Sequence, residues 1–173
     1  AQSHQFEQTL LPKVSHKSVD SFDREAQKQA KREAFYRVGS IHFNQKGYKG
    51  TSLDEIAGSL EVTKGAFYYH IKNKEELLYQ CFERTLSIEQ LLLEQANRSA
   101  DSGLAKVGCA LQYLVNMQLS DQGPLIRYRS LPSLDESHRK LVLKSSKRNS
   151  DNLGALIRQG FDDGPLRDID AEI

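Results

Sequence analysis

Apolar residues recur along most of this chain at the three- and four-residue spacing of helices, and no strand-like alternation persists. The pattern predicts an all-α fold. Phe35, Val38, Ile41 or His42, and Phe43 form one face of a long helix. That helix begins at Asp20 or Ser21, runs from Phe22 to about Lys46, and is stopped by Gly47. Leu53, Ile56, Ala57 and Leu60 make the stripe of a short second helix, capped by Thr51 or Ser52, with Glu55 completing a capping box. Glu61-Val62 form a turn in which Val62 plugs the angle between helices. Thr63 caps a third helix held down by Phe67 and Ile71, and Asn73 caps a fourth that opens at Lys74 and fades near Asn97. Residues 104–119 predict a fifth helix, with Val107, Leu111, Leu114, Val115 and Leu119 as its apolar positions. Gly123-Pro124 then interrupts the pattern, and a short piece ends near Leu131 before a break at Pro132. Asp135 to Gly160 predicts the last helix, whose middle, Lys144 to Asn152, is almost wholly polar.

The third helix has a surface that core packing does not ask for. It buries Phe67 and Ile71 and shows Lys64, Tyr68, Tyr69 and His70 to solvent. Two short helices around a tight turn have the spacing of a helix-turn-helix, whose second helix enters a DNA major groove by its N-terminal end. Gly65 in the first turn allows close approach to a sugar-phosphate backbone. The first turn of the helix opening at Lys74 offers free amides to a phosphate. Singly, these residues have plainer readings: Tyr68 and Tyr69 as half-buried aromatics, Lys64 and Lys74 as solvated charges, His70 as structural. Their joint placement favours the DNA reading.

Charge supports it once the chain is divided. The net charge is only +1. Residues 13–74 hold 12 Lys+Arg against 7 Asp+Glu, whereas residues 75–173 hold 12 against 15. The positive excess therefore lies on the segment with the motif, as phosphate neutralisation requires. An excess this modest implies that affinity depends on pairing two heads. Arg24, Lys28, Lys31 and Arg32 charge the first half of the long helix. They read equally as a solvated face or as an arm along a phosphate backbone.

The remaining chemistry excludes more than it suggests. Cys81 and Cys109 match no zinc or redox spacing and read as small buried hydrophobes, with a thiol sensor as the alternative. His4, His16, His42, His70 and His138 show no i, i+4 pairing, so neither a metal site nor a cofactor is expected. No phosphate loop, nucleophile elbow or paired carboxylates mark an enzyme. No apolar run is long enough to span a membrane, and the N-terminus lacks a basic start before an apolar core. A soluble, cytoplasmic protein with no membrane partner is the expectation. At 173 residues the chain holds one substantial core, or a small head on a modest bundle.

Phe43-x-x-x-Gly47-Tyr48-x-x-Thr51-Ser52-x-x-x-Ile56-Ala57, Val62-Thr63-x-Gly65-x-Phe67-Tyr68-Tyr69-His70 and Lys74-x-x-Leu77 together resemble the TetR-type transcriptional repressors over residues 31–80. His42 departs from the apolar residue usual before Phe43. The resemblance implies an N-terminal extension at 1–20, a DNA-binding head at 21–80 with its helix-turn-helix at 52–71, and a ligand-binding and dimerisation domain at 81–173. It implies that Thr63, Lys64, Gly65, Ala66 and Tyr69 face bases or adjoining phosphates. Tyr68, His70 and Lys74 would hold the backbone, and Thr51 and Ser52 would contact phosphate. A homodimer on a palindromic double-stranded DNA operator, released by an unknown small-molecule effector, is the implied mode of action. Leu111, Tyr113, Met117, Tyr128 and Leu156 are pocket candidates on apolar faces that read otherwise as core. Residues 160–170 resemble the linker after the family's seventh helix, so the last two dimerisation helices are expected to be missing. An excerpt, half of a tandem protein, or a dimer made through residues 104–160 are the alternatives. The competing functional reading is a helical protein–protein module that keeps the head as scaffold.

Overall fold

The computed structural model describes residues 16–163. The expected short N-terminal piece around Phe6, Leu10 and Leu11, and the expected linker from Gly164 onward, lie outside them. The described residues form α1 (His16–Lys46), α2 (Leu53–Ser59), α3 (Lys64–His70), α4 (Lys74–Ser99), α5 (Gly103–Leu119), a 3-10 turn (Tyr128–Ser133) and α6 (Glu136–Asp162), with no strand among them. The fold is all-α, as the periodicity predicts.

The chain divides into two compact units at Glu33. In the first, the leading part of α1 exposes most of its side chains from Arg24 on, laced by a Glu25–Lys28 pair at 3.9 Å and a Gln29–Glu33 hydrogen bond. The helix starts at His16, ahead of the expected cap at Asp20 or Ser21, because nothing between holds a Gly or Pro to stop it.

The second unit, from Ala34, is built on one continuous apolar core. Phe35, Val38 and Phe43 of α1, Ile56 and Ala57 of α2, and Phe67 of α3 are buried with Ile71. Leu77, Leu78, Cys81, Phe82 and Leu86 of α4 belong to the same cluster, as do Ile126, Leu134 and Val142 beyond it. α4 is thus the shared wall between the end of α1 with α2 and α3 on one side and α5–α6 on the other. Gly47 ends α1 at φ +73°, a left-handed geometry that favours glycine. Glu61 takes the same region without being glycine, at φ +54°, in the turn before α3. α5 closes tightly on the end of α6: a Cβ on Gly103 would sit 2.1 Å from the Gly160 nitrogen, so only glycine fits. The Gly103 amide donates to Asp163 and Lys106 donates to Gln159.

Three expectations need correction. Pro132 lies inside the 3-10 turn, which tolerates it, and the chain is reset one turn later at the Asp135 cap of α6. On α5 the expected apolar positions Leu111, Val115 and Leu119 are exposed, because α4 and α6 cover only the Ala110 side. Cys109 is half-buried, while Cys81 is fully buried, donates to the Tyr36 carbonyl at 3.2 Å, and has its thiol pushed up to about 12 by burial. Such a thiol is inert.

Long-range polar contacts fasten the end of α1 and α4 to the segment that leads into α6. Asn44, buried near the end of α1, donates to the Leu125 carbonyl at 2.8 Å and accepts the Arg127 amide at 2.9 Å. The Arg129 guanidinium donates to the Asn44 carbonyl, a cation at the negative end of α1. Thr85 accepts the Ile126 amide. At the other end of the junction His138 stacks on Tyr79, with centroids 3.9 Å apart, and its Nδ1 lies 3.0 Å from both oxygens of Glu75. Hydrogen bonding to Glu75, aided by the nearby Asp135 and Glu76 charges, raises the His138 pKa above the ordinary 6.5.

Two measurements check this architecture. Phe67 is fully buried against Phe35, with centroids 5.1 Å apart. Phe67→Ala should cost about 3–5 kcal/mol in denaturant unfolding, whereas Tyr69→Ala, four-fifths exposed, should stay within about 0.5 kcal/mol. The His138 contribution is fully present below pH 6.5 and is lost as pH rises through the raised folded value. Unfolding of wild type should therefore lose stability relative to His138→Gln between mildly acidic and mildly alkaline pH; parallel curves would remove the ion pair from the account.

Candidate nucleic-acid interface

The candidate surface is assembled by three side-chain caps and two buried anchors. Ser52 accepts the Glu55 amide at the start of α2, Thr63 accepts the Ala66 amide at the start of α3, and Asn73 accepts the Glu76 amide at the start of α4. Each cap satisfies an amide the helix cannot. The expected capping box is only half made: the Glu55 carboxylate turns to Lys46 at 3.1 Å, pinning α1 to α2. Phe67 and Ile71 are buried on the inner side of α3, and Val62 packs in the turn as expected. His42 fits its half-buried place by pairing with Ser59 at 3.0 Å, which bridges α1 and α2. Burial and the Lys46 charge hold its pKa down.

This scaffold turns Thr63, Lys64, Gly65, Ala66, Tyr68 and Tyr69 outward together on one exposed surface. A Cβ on Gly65 would meet nothing within 4 Å, so the first turn of α3 is open for close approach. Ser52 is exposed beside them.

Three expected members are placed differently. Thr51 is buried, and its hydroxyl donates to the Gly47 carbonyl at 2.8 Å, so its side chain fixes the turn instead of facing solvent. His70 is half-buried between the Phe35 ring at 5.6 Å and the Tyr69 ring at 5.0 Å, not free on the surface. Lys74 lies 4.5 Å over the Tyr48 ring and donates to the Thr51 carbonyl at 3.0 Å. Thr51 and Lys74 therefore brace the same turn.

One residue of this surface was not singled out by its sequence position. Asp54, on the exposed side of α2, accepts from Lys64 at 2.5 Å and from the Tyr68 hydroxyl at 3.3 Å. The bond to Lys64 holds its carboxyl below the usual carboxylate range and raises the Lys64 ammonium. Both groups are exposed, so the pair adds little stability but sets where the lysine and tyrosine point. Its only sequence signal is an acid in the first turn of α2, which the helix dipole alone explains.

A second site lies between α4, α5 and α6. A cavity of about 250 Å³ is lined by Leu92, Leu93, Leu111, Leu114 and Leu153, with Glu89, Tyr128, Ser146 and Asn149 among its polar groups. Of the pocket candidates, Leu111 and Tyr128 lie in its lining. Tyr113 is directed to Ser99 at 2.9 Å, Met117 lies by Ser120 at the end of α5, and Leu156 is core. Among the described residues, the three metal-capable groups that meet are Glu75, Asp135 and His138 at the junction. Asp135 is already committed there as the α6 cap. No helix of the described residues is long and apolar enough to cross a membrane.

Comparison with known proteins places this geometry. Residues 41–81 match the family described as bacterial regulatory proteins, tetR family. The Transposon Tn10 TetC protein of Escherichia coli is 54% identical over 46 residues, 27% of this chain and 23% of that protein. The biofilm operon icaADBC HTH-type negative transcriptional regulator IcaR of Staphylococcus aureus (strain Newman) is 36% identical over 64 residues, 35% of this chain and 34% of that protein. These alignments thus span only a quarter to a third of the relatives. Solved structures extend the likeness in fold. PfmR, a TetR family transcriptional regulator from Thermus thermophilus, superposes with TM-score 0.58 at 26% identity, over 79% of this chain and 75% of that one. AibR in complex with isovaleryl coenzyme A and operator DNA superposes with TM-score 0.67 at 22% identity, over 80% and 76%. The capped helix pair of α2 and α3 lies within the matched residues 41–81, the part of the chain that is similar to the tetR family of bacterial regulatory proteins.

Proposed function

We propose that this chain is a DNA-binding transcriptional regulator, most simply a repressor released by a small effector. The observation that carries the reading is the outward face of α3. Lys64, Tyr68 and Tyr69 stand exposed on a seven-residue helix whose inner side is anchored by fully buried Phe67. A helix this short has no packing reason to hold two exposed tyrosines. In the groove, Thr63, Lys64, Gly65, Ala66 and Tyr69 meet bases or adjoining phosphates, and Tyr68, Ser52 and Lys74 grip the backbone. Lys74 gives one proton to the Thr51 carbonyl and keeps two for a phosphate. Thr51 and His70 serve as supports that hold this face in place.

In this reading residues 21–80 form the DNA head and residues 81–173 receive the effector and a second copy. The two heads of a homodimer enter successive major grooves about 34 Å apart on a near-palindromic operator. α4 links the sites, since its first turn braces the head and its later turns supply Glu89, Leu92 and Leu93 to the cavity. A ligand that prefers one placement of α4 shifts the separation of the heads by its differential affinity.

The test uses a DNA site selected from a random pool, with unselected DNA as reference. Lys64→Ala and Tyr69→Phe should each weaken the selected site roughly ten- to a hundredfold and random DNA far less. Equal losses on both would reduce them to backbone contacts. Lys74→Gln should weaken all DNA alike and lower the salt slope by about one unit; an unchanged slope leaves Lys74 as a brace alone. Asp54→Asn should tighten binding to any DNA, since it frees Lys64 and removes an anion facing phosphate; weaker binding would instead show that Asp54 positions Lys64 and Tyr68 for contact.

A further inference from the structure

The cavity between α4, α5 and α6 has a charge that no cation among the described residues answers. Its wall is apolar, with Leu92, Leu93, Leu111 and Leu114 on two sides. Among the described residues Glu89 is the one carboxylate of the lining, and no lysine, arginine or histidine lines the cavity. Among the described residues no cation forms an ion pair with Glu89. Its hydrogen-bond donor is the amide of Asn149, at 3.4 Å, and burial pushes its carboxyl above the usual range.

Asn149 sharpens the requirement. It is 95% removed from solvent, and its Nδ2 donates to the Leu86 carbonyl at 2.9 Å. A carbonyl can only accept, so the amide orientation is settled by that bond. Asn149 Oδ1 is then left buried with no partner. An unmade hydrogen bond in such a place is costly unless something supplies the donor. The site thus presents two acceptors, one of them charged, beside a leucine-lined wall. An anionic ligand would meet repulsion with no compensating cation, and a purely apolar one would leave Asn149 Oδ1 without a donor and the Glu89 charge without a counter-ion.

We propose that this cavity binds a small organic cation, a protonated amine on a compact apolar body, with Glu89 as its counter-ion and Asn149 as a second acceptor. The ammonium sits against the Glu89 carboxylate and gives a further N–H to Asn149 Oδ1. The apolar body packs on Leu92, Leu111 and Leu114. At about 250 Å³ the cavity is just below the usual range for ligand pockets, roughly 300–1,000 Å³, which limits the body to about the size of a single ring or a short alkyl chain. Charge-assisted hydrogen bonds are the stronger kind, so the charge decides selectivity. This assignment rests on the reading that the α4–α6 cavity is the effector site, and it names the chemistry of that effector.

The test is calorimetric titration of the DNA-free full chain at neutral pH with 2-phenylethylamine, 2-phenylethanol and 3-phenylpropanoate, which share one body and differ in charge. Butylamine and hexylamine vary the body at constant charge. The amine that fits best should bind roughly tenfold or more tighter than the alcohol, and the carboxylate should not bind. Glu89→Gln, nearly isosteric, should bring the amine down to the alcohol and leave the alcohol unchanged. Equal binding of alcohol and amine, binding of the carboxylate, silence of all three amines, or an amine preference that survives in Glu89→Gln each overturns the proposal. The same ligands are then added to the protein–DNA complex. Amine binding that leaves the complex intact refutes effector-driven release while the cation site stands. Release by a ligand that binds the cavity without a positive charge does the reverse.

Discussion

Everything the surface of this protein offers depends on the burial of one side of α4. Leu77, Leu78, Cys81, Phe82 and Leu86 share one core with Phe35, Phe43, Ile56 and Phe67 before them and with Ile126, Leu134 and Val142 after them. A two-turn helix such as α3 is marginal alone, because nucleation costs more than so few hydrogen bonds return. Its conformation is imposed by tertiary contact, through Phe67 and Ile71. The end of α1, α2 and α3 are consequently not a separable module hung on a bundle. They share a core with it, and a change in the path of α4 is transmitted to the turn that Lys74 and Thr51 brace.

Polar contacts decide direction where the apolar core supplies only cohesion. Asn44 and Arg129 tie the end of α1 to the segment before α6, and Glu75 and His138 tie the start of α4 to the start of α6. Asp54 then sets the resting positions of Lys64 and Tyr68. An exposed pair of this kind is readily exchanged for a phosphate, so it can order the free surface without blocking a partner.

What was legible in the residues was mostly local. The caps Ser52, Thr63 and Asn73 each precede their helix by one position, and the apolar stripes of α1 to α4 follow the helical period, so short-range chemistry located them. The start of α1 was misplaced because a serine or aspartate can also lie inside a helix, and only the tertiary context distinguishes a cap from an interior residue. The inward turn of Thr51, the half-burial of His70 and the clamp at Asp54 depend on contacts across two or three elements, which spacing does not encode. On α5, Leu111, Val115 and Leu119 read as a packing stripe, yet all three are exposed, Leu111 at the open cavity between α4, α5 and α6. Asn149 was partly legible. It sits seven residues after Val142 and seven before Leu156, on the buried face of α6, within a run whose polarity hid its register. A polar residue at an apolar position is informative only after the face has been identified.

The central claim is that the outward face of α3 recognises a particular DNA sequence, and the most direct measurement is a mobility shift with DNA flanking the chain's own gene, in excess random competitor. The account predicts a discrete complex that survives the competitor, and a footprint with two protected half-sites about one helical turn apart. Complete loss of the complex into random DNA would contradict it, leaving α3 as a non-specific surface on a helical scaffold.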